Sequence, residues 1–350
     1  MNEMSVKETY AAYINNDDIR YQSSSGGIFT LLAENVINNG GVVYGVAMTD
    51  DMYDAGFRRI DKIADLAPLR GSKYFQAKVG DTYKQVKADL LNGITVLFTG
   101  TGCQVNGLKC YLQRDYSNLL TVDVLCHGTP SQKIWKMYVD DMEKKHGKVL
   151  SISFRNKQNS WADFGMKENY SEDGSIFISK DEDTFMRFFL RNYDLRPACY
   201  QCRAKWYKQS DITIADFWGI SNVLPEMNDQ KGTSLVLVRT DAGEKLFGNI
   251  QDKLTVKEVS YEDGVRSNPS EYSSVSRPEQ RDTLFEDAAK MTYPELVRKY
   301  KVDRDIPVKF STRVKNKIKR VAKRILKRGG SNTSNQPELN YGMYFIFKKK

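Results

Sequence analysis

Over the first 130 residues, apolar positions fall in short runs punctuated by turn residues, and the spacing within the runs changes from strand-like to helix-like and back. TYAAYI at 9–14 predicts a short strand, and VVYGVAM at 42–48 a buried one. Between them, IFTLLAENVI at 28–37 carries apolar residues at 28, 29, 31, 32, 33, 36 and 37, which predicts a largely buried helix that Asn38, Asn39, Gly40 and Gly41 stop. QSSSGG at 22–27 is a turn, so Ser23–Gly27 sits just before a helix start. Unpaired backbone N–H groups there suit an anion such as a phosphate; a plain N-cap is the other reading of the same residues.

The next unit is more regular. ITVLFTG at 94–100 predicts a buried strand, CQVNGLKCYL at 103–112 a helix, and LLTVDVLC at 119–126 a second buried strand. A strand–helix–strand crossover implies parallel strands. The carboxyl ends of such strands share one edge of the sheet, where ligands collect. Cys103 follows the first strand and Cys126 closes the second, so the two are expected to approach each other in space.

Farther on, HGKVLSISFRN at 146–156 and SIFISK at 175–180 predict strands of an antiparallel piece, with a turn at Glu172, Asp173 and Gly174. DTFMRFFLRN at 183–192 predicts a helix, DITIADFWG at 211–219 and TSLVLVRT at 233–240 strands, and EKLFGNI at 244–250 the start of a helix. Residues 262–305 are polar, with short helices. The expected fold is mixed α/β: a partly parallel sheet flanked by helices, an irregular cysteine-bearing segment and a basic C-terminal helix. The expected division is 1–88, 89–308 and a tail at 309–350.

Composition adds little to this until it is resolved along the chain. The 350 residues are 40% apolar and 28% charged, as in ordinary globular proteins. The net charge of +9 is uneven: residues 309–350 hold thirteen Lys or Arg against Glu338, so the tail carries +12 and residues 1–308 carry −3. Within the tail, Val314, Ile318, Val321 and Ile325 form one apolar stripe of a basic helix. This pattern predicts either docking on the acidic body or peripheral contact with an anionic membrane. No apolar run is long enough to span a bilayer, and the polar start MNEMSVKETY lacks the apolar core of a secretory signal. A cytoplasmic location is expected. A basic tail also raises nucleic acid as a partner, but the acidic body shows no basic face, and none is expected.

Five cysteines in a reducing compartment point to metal or redox chemistry rather than disulfides. RPACYQCRAK holds Cys199 and Cys202 as a C-x-x-C knuckle, and no second knuckle or histidine pair lies near it. One knuckle plus Cys103 and Cys126 makes four thiolates, which suits a 4Fe–4S cluster or a four-cysteine zinc site. Cys110, mid-helix, reads as a core residue. Of the two histidines, His127 reads as packing or hydrogen bonding beside the cysteines and His146 as a surface residue. Two histidines make a histidine-based hydrolase a poor fit.

Several dispersed stretches, in order, carry a resemblance: SSSGGIFTLLAE, LRGSKYFQA, VLFTGTGCQVNGLK, LLTVDVLCHGTPS, RPACYQCRAK, SDITIADFWGI and KGTSLVLV. Over residues 7–290 the chain resembles the beta subunits of coenzyme F-420-dependent hydrogenases and dehydrogenases, including bacterial relatives encoded with capsule and exopolysaccharide genes. The resemblance implies a flavoprotein with FAD as its usual flavin, FMN as the alternative, and an adjacent 4Fe–4S cluster. Carried over by position, Cys103, Cys126, Cys199 and Cys202 would hold the cluster. Ser24, Ser25, Gly26, Gly27, Lys73, Gln76, Thr99, Gly100, Thr101, Gly102 and Asp216 would line the flavin pocket. Gly102 stands where the family usually has Pro, and AKWYKQ after Cys202 is unusual for it. The implied function is electron transfer between cluster and flavin, with a ferredoxin-like carrier as partner and a small-molecule or sugar-linked substrate of surface-polysaccharide synthesis. The competing expectation is a structural zinc protein acting in glycan assembly.

Overall fold

A computed structural model describes residues 6–305. The described residues up to Asp303 form one compact unit. The basic helix and the membrane contact expected of the tail lie outside the described residues. Among these, no helix is long and apolar enough to cross a membrane.

The strands are β1 (Glu8–Ile14), β2 (Val42–Met48), β3 (Ala55–Ile60), β4 (Val96–Thr101), β5 (Leu119–Val124), β6 (Val149–Asn156), β7 (Gly165–Tyr170), β8 (Gly174–Ser179), β9 (Ile212–Asp216), β10 (Ser234–Val238) and β11 (Leu254–Glu258). Eight of them form one sheet in the order β11-β1-β10-β9-β5-β4-β2-β3, and β6-β7-β8 form a separate antiparallel sheet. The central steps β2–β4, β4–β5 and β5–β9 are parallel, as the crossover reading requires. The flanks are antiparallel. The fold is thus mixed α/β, as expected from the sequence.

Residues alternate between the faces of the large sheet, and both faces are covered. Ala12, Ile14, Val43, Leu97, Val122, Ile212 and Val236 pack on one side with Leu31, Leu32 and Val36. Those last three come from a helix at Ile28–Asn38, which follows a short helix at Asp17–Gln22; these are α2 and α1. On the other side Val42, Tyr44, Val96 and Phe98 meet Val86 and Leu90 of α3 (Thr82–Leu91) and Val105 and Leu108 of α4 (Gly102–Leu112). Burying each such side chain is worth about 1.5–3 kcal/mol, which fixes this part of the molecule firmly.

A second core joins the small sheet to α5 (Gln132–His146) and α6 (Thr184–Leu190), with Trp135, Tyr138, Phe154, Phe185 and Phe188 wholly buried. The helix α5 and the strands β3 and β7 are additions to what the sequence reading offered. The turn at Glu172–Gly174 joins β7 to β8, so β6 and the 175–180 strand do not pair directly but flank β7.

Because β4, β5 and β9 run parallel, their ends at Thr101, Val124 and Asp216 share one edge. β1 runs in the same sense, so its end at Ile14 delivers the 15–27 loop there, and antiparallel β10 starts there at Ser234.

Candidate functional site

Two cysteines occupy this edge because β4 and β5 each end just before one, and two more come from the turn that leads into β9. Cys103 is the second residue of α4, whose start is held by a reciprocal pair of side-chain to backbone bonds between Thr101 and Gln104. The Thr101 hydroxyl lies 3.2 Å from the Cys103 sulfur. Cys126 is two residues past β5. Cys199 lies in the short turn Pro197–Gln201, and its sulfur accepts the Thr129 N–H at 3.3 Å. Cys202 is fixed through its own N–H, which donates to Ser274 Oγ at 2.9 Å.

Burial pushes the Cys126 thiol up to about 12; Lys205 opposes the rise, while Cys103, Cys199 and Cys202 add to it. Burial likewise raises Cys199, with Cys202 and Cys103 contributing. The turn that bears Cys199 is thus held against the segment that follows β5. As they stand, no group of three or more His, Cys, Asp or Glu among the described residues could hold a metal ion.

One cation is built into this place. Lys205 is buried, and its Nζ donates to the carbonyls of Cys126 and Ser270. Burial lowers its pKa, and the thiols of Cys126 and Cys202 pull the other way. Gly102 is required by close approach, since a Cβ there would sit 2.8 Å from Asp123 Oδ2 and 3.4 Å from the Ala204 side chain.

Cys110 does not belong to the core: it is exposed. Seven residues, about two turns, separate it from Cys103, which is also exposed, while Val105, Leu108 and Leu112 take the buried face of α4. His127 packs edge-on against Phe189, with Nε2 2.7 Å from Asn192 Oδ1. His146 is half-buried against Tyr170 and paired with Asp173.

A cavity of about 190 Å³ lies beside the 22–24 turn, lined by Arg70, Lys73 and Arg155 together with Ser24, Ser72 and neighbouring backbone, and no carboxylate lines it. Burial, with help from Arg58, brings Lys73 down to about 7, although its Nζ donates to the carbonyls of Pro68 and Arg70 at 2.9 and 2.8 Å. Arg155 is held on Asp216 by two bonds of 2.9 and 3.0 Å and lies over the Phe164 ring. Its side chain is 5% exposed, yet Nε has no hydrogen-bond partner. An unmet buried donor of this kind calls for an acceptor.

The other residues expected at a flavin have varied placements. Ser24 Oγ bonds Ser72 Oγ and N–H at 2.9 Å on the cavity wall. Ser25 Oγ is used on the Thr233 carbonyl, and Gly26 N–H on Ser234 Oγ. Gly26 has no room for a Cβ, which would fall 2.4 Å from the Ala12 carbonyl oxygen, and Gly27 opens α2 with φ of 85°. Lys157 clamps this loop by donating to the carbonyls of Arg20, Ser25 and Lys231, the three acceptors an ammonium can satisfy. Thr99 Oγ1 donates to the Tyr44 carbonyl and Gly100 packs under Gln104, so both support the strand end. Asp216 reaches the cavity only through Arg155 and also accepts from Trp161 Nε1 at 2.7 Å. Gln76 is exposed and lies outside the cavity wall.

Sequence reasoning overlooked Arg70, Arg155 and Lys157. SFRNK at 153–157 gave a signal, two buried cations at a strand end.

Two family models match the chain: coenzyme F420 hydrogenase/dehydrogenase, beta subunit N-term, over residues 9–82, and the C terminus of the same beta subunit over 94–263. Among solved structures, a chain of the F420-reducing [NiFe] hydrogenase complex from Methanosarcina barkeri superposes with a TM-score of 0.52 at 16% identity, covering 84% of this chain and 92% of that one. At that identity the likeness is one of fold. No curated protein matches the chain.

Proposed function

Since this chain belongs to the coenzyme F420 hydrogenase/dehydrogenase beta-subunit family, a family of oxidoreductases, we propose that it is an iron–sulfur flavoprotein in which Cys103, Cys126, Cys199 and Cys202 hold a 4Fe–4S cluster. What supports this reading is Cys103 and Cys126 just past the ends of two adjacent parallel strands, with the segment bearing Cys199 and Cys202 tied to the same edge by Thr129 N–H on the Cys199 sulfur and by Lys205 on the Cys126 carbonyl. A single zinc draws four sulfurs to about 2.3 Å from one atom, which packs them nearly in contact. A cluster distributes its thiolates over several irons and so takes a wider set. Acid-labile sulfide together with iron would mark the wider set.

The flavin, with FAD the first choice, would place a phosphate in the cavity between Arg70, Lys73 and Arg155. That cavity is smaller than the roughly 300–1,000 Å³ that encloses a drug-sized ligand, so it suits the anionic end of a longer molecule. Asp216 orients Arg155, and the Arg155 Nε is left to meet a ligand oxygen. Flavin and cluster together would supply the exchange between two-electron and one-electron chemistry. Lys205 offsets the negative charge of the thiolates, and the Thr129 N–H supports Cys199. The partner would be a ferredoxin-like carrier in the cytoplasm. The substrate would be a small, sugar-linked intermediate of surface polysaccharide, a reading that rests on the resemblance alone.

The test is anaerobic purification with assay of iron, acid-labile sulfide and flavin. Brown-yellow protein with all three is expected. Replacing any of the four ligand cysteines with Ala should abolish the iron signal, whereas Cys110→Ala should keep it. Colourless protein, with zinc or no metal, would overturn the proposal.

A further inference from the structure

The unusual AKWYKQ stretch makes a surface that the fold does not use. Trp206, Tyr207 and Tyr111 are 55%, 39% and 40% exposed. Trp206 has no side-chain partner among the described residues, and neither has exposed Arg203. An open groove of about 400 Å³ runs between the second half of α4 and residues 207–209, with Lys109 and Arg114 along it, Lys208 turned away onto Glu271 at 3.0 Å, and Asp115 as the one acid of its lining. Lys109 reaches Asp115 only at 4.0 Å, and Arg114 lies over the Tyr116 ring. The two walls are tied by Asn106 Nδ2 donating to the Tyr207 carbonyl at 2.8 Å, so the face is a built surface and not a loose loop.

We propose that this face, formed by α4 and residues 203–209, is the docking site of a small acidic electron-carrier protein. The inference rests on the cluster reading above and adds the place and chemistry of the partner. Exposed aromatics beside arginines are the residue types that dominate binding energy at protein interfaces. A surrounding excess of cations selects an acidic partner and speeds its approach. Position gives the face its meaning. Arg203 directly follows Cys202, Trp206 is four residues beyond it, and Cys103 lies in the first turn of α4. A carrier seated here covers the chain segments that bear two of the four thiols.

The test is calorimetric titration of the anaerobically purified full chain with an acidic, bacterial-type two-cluster ferredoxin at low and high salt. Iron and sulfide are assayed on the same samples. Arg203→Glu, Arg114→Glu and Trp206→Ala should each weaken binding about tenfold, and the charge reversals should flatten its salt dependence. Lys245→Glu, on the far side of the large sheet, should bind as the unaltered chain does. All four variants should keep their thermal midpoint and iron content. Iron-loaded protein that binds no ferredoxin, or whose variants all bind equally, overturns the docking site and leaves the cluster standing. So does a face that sediments with anionic vesicles and ignores ferredoxin. Iron-free protein overturns the cluster reading, and the docking site with it.

Discussion

Lys205 shows what one residue can decide and why a sequence hides it. Its cysteine neighbours were legible, because a C-x-x-C knuckle and two cysteines at the ends of adjacent buried strands leave little choice of place. Lys205 was not, because the atoms that hold it are backbone carbonyls of Cys126 and Ser270, distant in sequence and without residue-type signature. Cys110 misled for a related reason: a cysteine is a plausible core residue anywhere, and only the face of α4 it occupies shows that it is exposed. Lys205→Met keeps the length and removes the charge. It leaves two buried carbonyls unpaired, at about 1–3 kcal/mol for each. It also removes the positive charge beside Cys126 and Cys202, so adding an electron becomes harder. The expected outcome is a lower unfolding midpoint together with a more negative reduction potential of the proposed iron centre in a redox titration followed by electron paramagnetic resonance. A midpoint that falls while the potential stays fixed would reduce Lys205 to a structural clamp.

At the scale of elements, β7 is the instructive omission. GMKENY reads as polar, yet Met166, Glu168 and Tyr170 face inward in strict alternation. The signal was broken because one inward position is a buried acid. Glu168 joins Asp183, at the start of α6, through Tyr138 of α5, whose hydroxyl is 2.9 Å from both carboxylates. A hydroxyl donates one proton, so it satisfies both contacts only if one carboxyl carries a proton of its own. Burial raises Glu168 to about 7 and Asp183 to about 6. Both folded values lie above those of the unfolded chain, so the folded state binds more protons and stability falls as pH rises from about 4 through 7. Glu168→Gln removes the larger part of this dependence. Urea unfolding across that window should show a stability loss in the unaltered chain that is smaller in the variant by on the order of 2–3 kcal/mol. Parallel pH profiles would mean that the pair ionises freely. The helix α5 is the opposite case. Ile134, Trp135, Tyr138, Val139 and Met142 do follow a helical period, between charged residues that lowered the mean hydropathy of the segment.

At the scale of the molecule, the sequence pattern divides near residue 88, and the two family models also meet in that region. The sheet does not divide there. β1, from the start of the chain, lies between β10 and β11 from the end of the body, and β2 takes β4 as its inner neighbour. Such long-range pairings leave no local trace, since each strand run looks the same whichever strand it joins. They also mean that residues 1–88 cannot complete a sheet alone: β1 would lose both neighbours, and β2 would keep only β3. An isolated two-stranded ribbon is marginal in water, and the apolar face of α2 would be left uncovered. A fragment of residues 1–88 should therefore lack a cooperative thermal transition by circular dichroism and should be cut rapidly by protease. A fragment ending at Pro307 contains every strand of both sheets and should unfold cooperatively, at the midpoint of the full chain. Mixing the 1–88 and 89–307 fragments should restore protection from protease only if the pieces reassemble the sheet. A 1–88 fragment that folds by itself would show that this segment is an independent domain and that β1 can do without β10 and β11.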